Sequence, residues 1–176
     1  CDGTDANMTK YNATDGKTIL EPADDAAHVN WGGKWRMPTK EEFTELREHC
    51  TWIWVEKNGI NGYEITGSNG NSIFVPAAGF YYENGFNYGE NGDYWSAEAG
   101  LPNNGIHLNF YPDKQIKSTS YRYFGFPIRP VYDDRVTLTV IPTPEDAKVS
   151  FNCRGYQWVG NSITVDKGKD VLYQVT

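Results

Sequence analysis

The chain carries three histidines, His28, His49 and His107, and three cysteines, Cys1, Cys50 and Cys153. Asp24 and His28 stand four apart, the spacing at which two side chains on one helix face can share a metal. Packing on a helix surface explains that pair equally well. There is no Cys-x-x-Cys pair, which excludes a zinc ribbon or a dithiol redox motif. Gly-x-Ser-x-Gly, His-Glu-x-x-His and phosphate-loop motifs are also missing from the sequence. Glu83, Glu90, Asp93 and Glu98 could supply the carboxylate pair of a glycoside hydrolase, but exposed acids ordinarily serve solubility. Asn84, Asn87, Glu90, Asn91 and Asp93 crowd hard oxygen atoms into one stretch, as a structural calcium ion requires. The same residues are turn formers. On these grounds no catalytic residue, metal ligand or cofactor is assigned.

The aromatic residues are the stronger signal. They make up 15% of the chain, with 6 Trp and 12 Tyr, in a sequence whose mean hydropathy is −0.63. So many large rings in a polar chain fill a core, line a binding surface, or do both. Tyr81, Tyr82, Phe86 and Tyr88, then Tyr111, Tyr121 and Tyr123, lie in or beside Gly- and Asn-rich loops. Flat rings with a hydroxyl suit sugar faces and protein epitopes alike. We select Tyr82, Phe86, Tyr88, Tyr111 and Tyr121 as the ligand-binding set. Trp31, Trp35, Trp52, Trp54 and Trp95 are assigned to the core, and Arg129, fixed by Pro130, to an ion pair inside the domain.

Charge limits the partners. The net charge is −7 and the pI about 4.9, which argues against nucleic acid, whose binding needs a basic footprint. Polybasic runs for an anionic membrane are lacking, as is any apolar stretch of membrane-spanning length. Cys1 is read as an ordinary cysteine rather than the acylated first residue of a lipoprotein.

The elements that must carry these residues follow from the local pattern. Residues 21–29 read as a short helix, with Pro22 near its start and Asp24 and Asp25 in its first turn. Residues 30–34 read as a turn. Thr39-Lys40-Glu41-Glu42 is a capping box, and Phe43, Leu46, Arg47 and Cys50 follow at helical spacing. Strands are expected at 52–55, 63–66, 72–76, 94–97 and 106–110. Turns are expected at Asn58-Gly59, Asn61-Gly62, 67–71 and 114–119, and loops at 82–93 and 100–105. Residues 121–131 read as a closing strand. After residue 134, four short strands at 136–140, 148–152, 161–165 and 171–175 have the spacing of a β-sandwich module, although about 42 residues is short for one.

Five ordered segments carry a family resemblance. They are Leu20-Glu21-Pro22-Ala23-Asp24-Asp25-Ala26-Ala27-His28-Val29-Asn30-Trp31-Gly32-Gly33; Trp35-Arg36-Met37-Pro38-Thr39; Asn71-Ser72-Ile73-Phe74-Val75-Pro76-Ala77-Ala78-Gly79; Tyr94-Trp95-Ser96; and Arg129-Pro130-Val131. With these, residues 1–132 resemble the Fibrobacter succinogenes major paralogous domain family of Bacteroidetes surface and secreted proteins. That family is related to the C-type-lectin-like fold of formylglycine-generating enzymes. The resemblance implies an α+β domain at 1–132, with two short helices, a twisted antiparallel sheet and long loops, lacking its N-terminal part. Residues 135–176 look like a partial, all-β immunoglobulin-like module. Formylglycine-generating activity is not carried over, because residues 51–132 contain no cysteine. Nor do Glu21-Pro22-Ala23 and Trp95-Ser96-Ala97 match the calcium triplets of lectins. The expected function is a non-catalytic binding module at the cell surface (outer membrane) or outside the cell, presenting its loops to a carbohydrate or to a host or bacterial surface protein. The alternative is a structural subunit or stalk of a surface assembly, with an enzyme third.

Overall fold

The structure, a computed structural model, describes residues 8–82, 85–86 (backbone), 88–100, 103–142, 147–153 and 156–176. It divides into two compact units, Cys1–Tyr132 and Asp133–Thr176. The fold is mostly β, with two short helices and several antiparallel sheets.

In the first unit, helix α1 spans Ala26–Trp31 and starts later than the sequence pattern suggests. The reason is Asp25. Its Oδ1 accepts from the N–H groups of Ala27 and His28, and its Oδ2 accepts from Met37 N–H at 2.8 Å. An acid that satisfies two orphan helix donors makes the stronger N-cap, and Glu21 and Pro22 are left in the preceding turn. Gly32, at φ 67°, ends the helix by donating to His28 O. Strand β1, Trp35–Arg36, leads into helix α2, Lys40–His49, which has the expected capping box. Thr39 Oγ1 accepts from Glu42 N–H, and the Glu42 carboxylate accepts from Thr39 N–H. The same carboxylate takes both terminal nitrogens of Arg36, at 2.8 and 2.6 Å.

Strands β2 (Thr51–Lys57), β3 (Ile60–Thr66) and β4 (Ser72–Pro76) form an antiparallel meander. Asn58 and Gly59 turn it with φ of 55° and 76°, the left-handed pair of a tight hairpin. Asn61-Gly62, expected as a turn, lies inside β3. Gly62 is there for closeness, because a Cβ on it would come 2.4 Å from Val75 O.

A small hairpin of β5 (Tyr81–Tyr82) and β6 (Gly85–Phe86) precedes a second meander. Its strands are β7 (Gly92–Gly100), β8 (Asn104–Tyr111) and β9 (Lys114–Tyr121). Residues 114–119 are therefore strand, not turn. Their polar run hides an edge strand, with only Ile116 apolar, paired to β8 along its whole length. The expected closing strand at 121–131 shrinks to β10, Val131–Tyr132, which pairs with β1. Ahead of it the chain is irregular, tied by mutual backbone bonds between Gly125 and Tyr81 at 2.8 Å.

The core lies between the two meanders and α2. Phe43, Tyr63, Ile65, Val75, Tyr94, Leu108 and Phe110 are buried there, with Trp52 and Trp54 packed against them. Tyr63 and Phe110 meet edge to face at 5.4 Å. A second cluster joins Ala27, Met37 and Ala97, flanked by Leu20, Trp95 and Ile128. Trp31, expected in the core, is 58% exposed and meets Trp35 edge-on at 4.9 Å. It is the last residue of α1.

In the second unit, β11 (Val136–Thr139), β14 (Ser162–Val165) and β13 (Trp158–Val159) form one antiparallel sheet. β12 (Val149–Asn152) and β15 (Leu172–Val175) form another. Phe151, Ile163 and Val165 make its small core.

Candidate functional site

Alternation along the second meander sends Tyr94, Leu108 and Phe110 into the core and leaves Asp93, Trp95, His107 and Asn109 on the opposite face. That face carries a buried polar row. The Asp93 carboxylate accepts from Asn109 Nδ2 at 2.9 Å and from Asn91 Nδ2. Nδ1 of His107 lies 3.2 Å from Asp93 Oδ1, yet it makes no well-aligned hydrogen bond among the described residues. The pair is close enough for attraction and poorly angled for a bond. Ser120 Oγ lies 3.3 Å from the other ring nitrogen, Nε2. Asp93, His107 and Ser120 thus follow one another across β7, β8 and β9 in the order of a proton relay. The geometry makes them a tie between strands. The imidazole packs against two rings, Phe126, stacked at 4.6 Å, and Trp95 at 5.5 Å.

Those rings begin an aromatic ladder that climbs from the buried row to the surface. Phe126 contacts Trp95 at 4.3 Å and Phe124 at 5.6 Å. Phe124 in turn contacts Tyr82 at 4.6 Å and Tyr123 at 5.1 Å. Tyr123 stacks on Tyr121 at 5.3 Å with the planes 11° apart, and lies 5.7 Å from Tyr82. Tyr82, Tyr121 and Tyr123 are all exposed. Half-buried phenylalanines thus support a platform of three tyrosines drawn from chain segments about forty residues apart. No family model, curated protein or solved structure matches this chain.

The structure brings together only part of the selected set. Tyr82 and Tyr121 meet through Tyr123, which the selected set omitted. Tyr111 is exposed but sits at the other end of the β8–β9 hairpin, opposite Lys114, whereas Tyr121 lies opposite Asn104. At about 3.3 Å per residue the two ends are roughly 23 Å apart. Tyr88 is exposed in the turn before β7 and makes no ring contact among the described residues. The side chain of Phe86 lies outside the described residues. Sequence proximity to a loop chose all five; the turn at Phe124–Gly125, which folds 121–123 back onto Tyr82, has no such signal.

The acids also separate. Asp24 accepts from Lys10 Nζ and Tyr11 Oη, while His28 Nδ1 faces Trp35 O at 3.3 Å, so these two do not share a site. The Lys10 and Tyr11 hydrogen bonds hold the Asp24 carboxyl below its ordinary value. Glu98 Oε2 accepts from Lys40 N–H at the start of α2. Glu83, Asn84 and Asn87 lie outside the described residues. Among the described residues, no three His, Cys, Asp or Glu side chains group as metal ligands. Arg129, expected in an ion pair inside the domain, is exposed just ahead of β10 and makes none among the described residues. Its charge reaches the buried Tyr94 hydroxyl, which burial pushes up to about 12 against that pull.

Proposed function

We propose that this chain is a non-catalytic binding module, secreted or held at a bacterial cell surface, that presents Tyr82, Tyr121 and Tyr123 to a carbohydrate. In this reading the first unit is a C-type-lectin-like domain of the Fibrobacter succinogenes major paralogous type. The second is an immunoglobulin-like spacer. The observation that carries the reading is the platform itself: three exposed phenol rings in which Tyr123 contacts both Tyr82 and Tyr121, the latter pair nearly parallel, on a half-buried aromatic support. A pyranose lays its C–H face on such rings, and the hydroxyls at their rim meet the sugar's own. Support of this kind fixes the rings before binding and reduces the ordering cost.

A glycan array of the whole chain, run with calcium and with EDTA, tests the reading. Selective binding that Tyr123→Ala abolishes supports it. Binding that survives Tyr123→Ala, or a clean negative array, overturns the carbohydrate assignment and leaves a protein partner to be sought by capture from cell surfaces.

One observation favours the structural alternative. β9 is a long edge strand, and an open edge invites strand addition from a neighbouring subunit. Lys114 and Lys117 on that edge work against pairing. Concentration-dependent assembly without any glycan would favour this alternative.

A further inference from the structure

Away from the tyrosine platform, the first unit contains a pocket of about 240 Å³. A break in strand register creates it. Trp95 lies opposite His107 and Ala99 opposite Gly105, so three residues of β7 face Ile106 alone. The bulge swings Ser96, Ala97 and Glu98 out of the β7–β8 ladder. The backbone of the bulge and of Ala99 beside it turns to new partners: Ala97 N–H donates to Pro38 O, Leu20 N–H to Ala97 O and Ala99 N–H to Thr18 O, each at 2.8 Å.

The pocket's walls are apolar: Leu20, Met37, Trp95, Ala99 and Ile128, with Tyr11 at one side. Trp95 settles onto Gly105, where a Cβ would come 2.7 Å from the indole ring. Two charged side chains also reach the wall, Glu98 and Arg122. The Arg122 guanidinium donates to the backbone carbonyls of Asn104, Lys10 and Tyr11, which clips the N-terminal segment over the bulge. Glu98 differs. It is 6% exposed; Oε2 takes Lys40 N–H at 2.9 Å, and Oε1 accepts no hydrogen bond among the described residues. Glu98 is thus a largely buried side chain whose second carboxylate oxygen keeps its capacity to accept from a donor.

We propose that this pocket binds a small, neutral, aromatic molecule carrying one N–H or O–H donor, of the indole or phenol class, with the donor directed to Glu98 Oε1. Each part of that assignment has its own ground. The volume lies below the roughly 300–1,000 Å³ of drug-sized sites, so the occupant is fragment-sized. Glu98 and Arg122 carry opposite charges, so the pocket offers no net charge to an ion. The Trp95 and Tyr11 rings and the Met37 thioether favour an aromatic body. The second carboxylate oxygen calls for one donor and no acceptor. This inference is independent of the tyrosine platform.

The test is calorimetric titration of the whole chain with indole, and with benzofuran, which keeps the shape and lacks the N–H. Indole is expected to bind saturably, with a dissociation constant on the order of 1 mM or below. Benzofuran is expected to bind at least about five-fold more weakly, the loss of one charge-assisted hydrogen bond. Glu98→Gln keeps an acceptor for Lys40 N–H and should weaken indole about ten-fold. Ala99→Leu should fill the space and abolish binding, with an unchanged far-ultraviolet spectrum confirming its fold. Tyr121→Ala should leave indole binding intact. Failure of indole to saturate, equal affinity for benzofuran, or binding indifferent to both Glu98→Gln and Ala99→Leu would each overturn the proposal.

Discussion

Asp93 Oδ1 lies 3.2 Å from His107 Nδ1, with each side chain 4% exposed. The Asp93 carboxylate also holds the amide groups of Asn91 and Asn109. Asp93→Ala removes the acceptor from two buried donors, so it should cost about 3 kcal/mol, most of it from the amides left unpaired. Asp93→Asn keeps one acceptor and should cost less. Urea denaturation of both variants checks this; a loss under about 1 kcal/mol for Asp93→Ala would remove the row from any structural role.

Tyr94 gives the fold an alkaline limit. Its hydroxyl donates to Pro76 O at 2.8 Å, and burial pushes its pKa up to about 12, against about 10 unfolded. The folded state therefore favours the neutral phenol. The associated stability is fully present below pH ~10 and is lost as pH rises from 10 through 12, to the extent of about 2–3 kcal/mol. Tyr94→Phe should cost about 1 kcal/mol at pH 7 and fall less steeply between pH 10 and 12. Parallel slopes for the two proteins would contradict the assignment.

Gly92 faces Phe110 across the β7–β8 ladder. A Cβ there would come 2.2 Å from the Phe110 ring, whose side chain is fully buried. Gly92→Ala should destabilise by at least about 2 kcal/mol through overpacking. Pairing it with Phe110→Leu should recover part of that loss, a non-additivity read from a double-mutant cycle.

The helix α2 cap is separable from the core. Thr39→Ala should cost about 1 kcal/mol. Glu42→Ala should cost more, because it also removes the carboxylate that takes both terminal nitrogens of the half-buried Arg36. Thermal melts of the two single variants and the double variant resolve the shares; equal effects would mean that Arg36 gains nothing from Glu42.

The tyrosines should divide by place. Alanine at Tyr82, Tyr121 or Tyr123 should each weaken ligand binding ten-fold or more, the weight of a stacked aromatic in a contact patch. Alanine at Tyr88 or Tyr111 should change it less than two-fold. A ligand lost on Tyr111→Ala but kept on Tyr123→Ala would move the site to the far end of the hairpin.

Local chemistry was legible in the sequence, and long-range geometry was not. Thr39 and Glu42 announce their cap because both partners lie within one turn. Asn58-Gly59 announces its hairpin by left-handed preference. Asn61-Gly62 has the same letters and sits mid-strand, because its glycine answers to Val75 on a neighbouring strand. Residues 114–119 look like a turn because an edge strand needs few apolar residues. At the site, Tyr82, Tyr121 and Tyr123 were all visible as loop aromatics, but their grouping depends on the fold-back at Gly125, which ties to Tyr81. Glu98 looked like a solubilising acid; a bulge in β7, with no signature in the sequence, buries it.

The two-residue ladder of β1 and β10 joins Trp35 to Tyr132, positions about a hundred residues apart. A chain emerging from a ribosome therefore holds β2, β3 and β4, whose contacts are local, well before β10 exists to meet β1. Until then Trp35 lacks the ring of Tyr132, its edge-on neighbour at 5.3 Å. Completion of the first unit waits for its last two residues to emerge from the ribosome, and a nascent chain exposed only to residue 130 should be cut by proteases near residue 35.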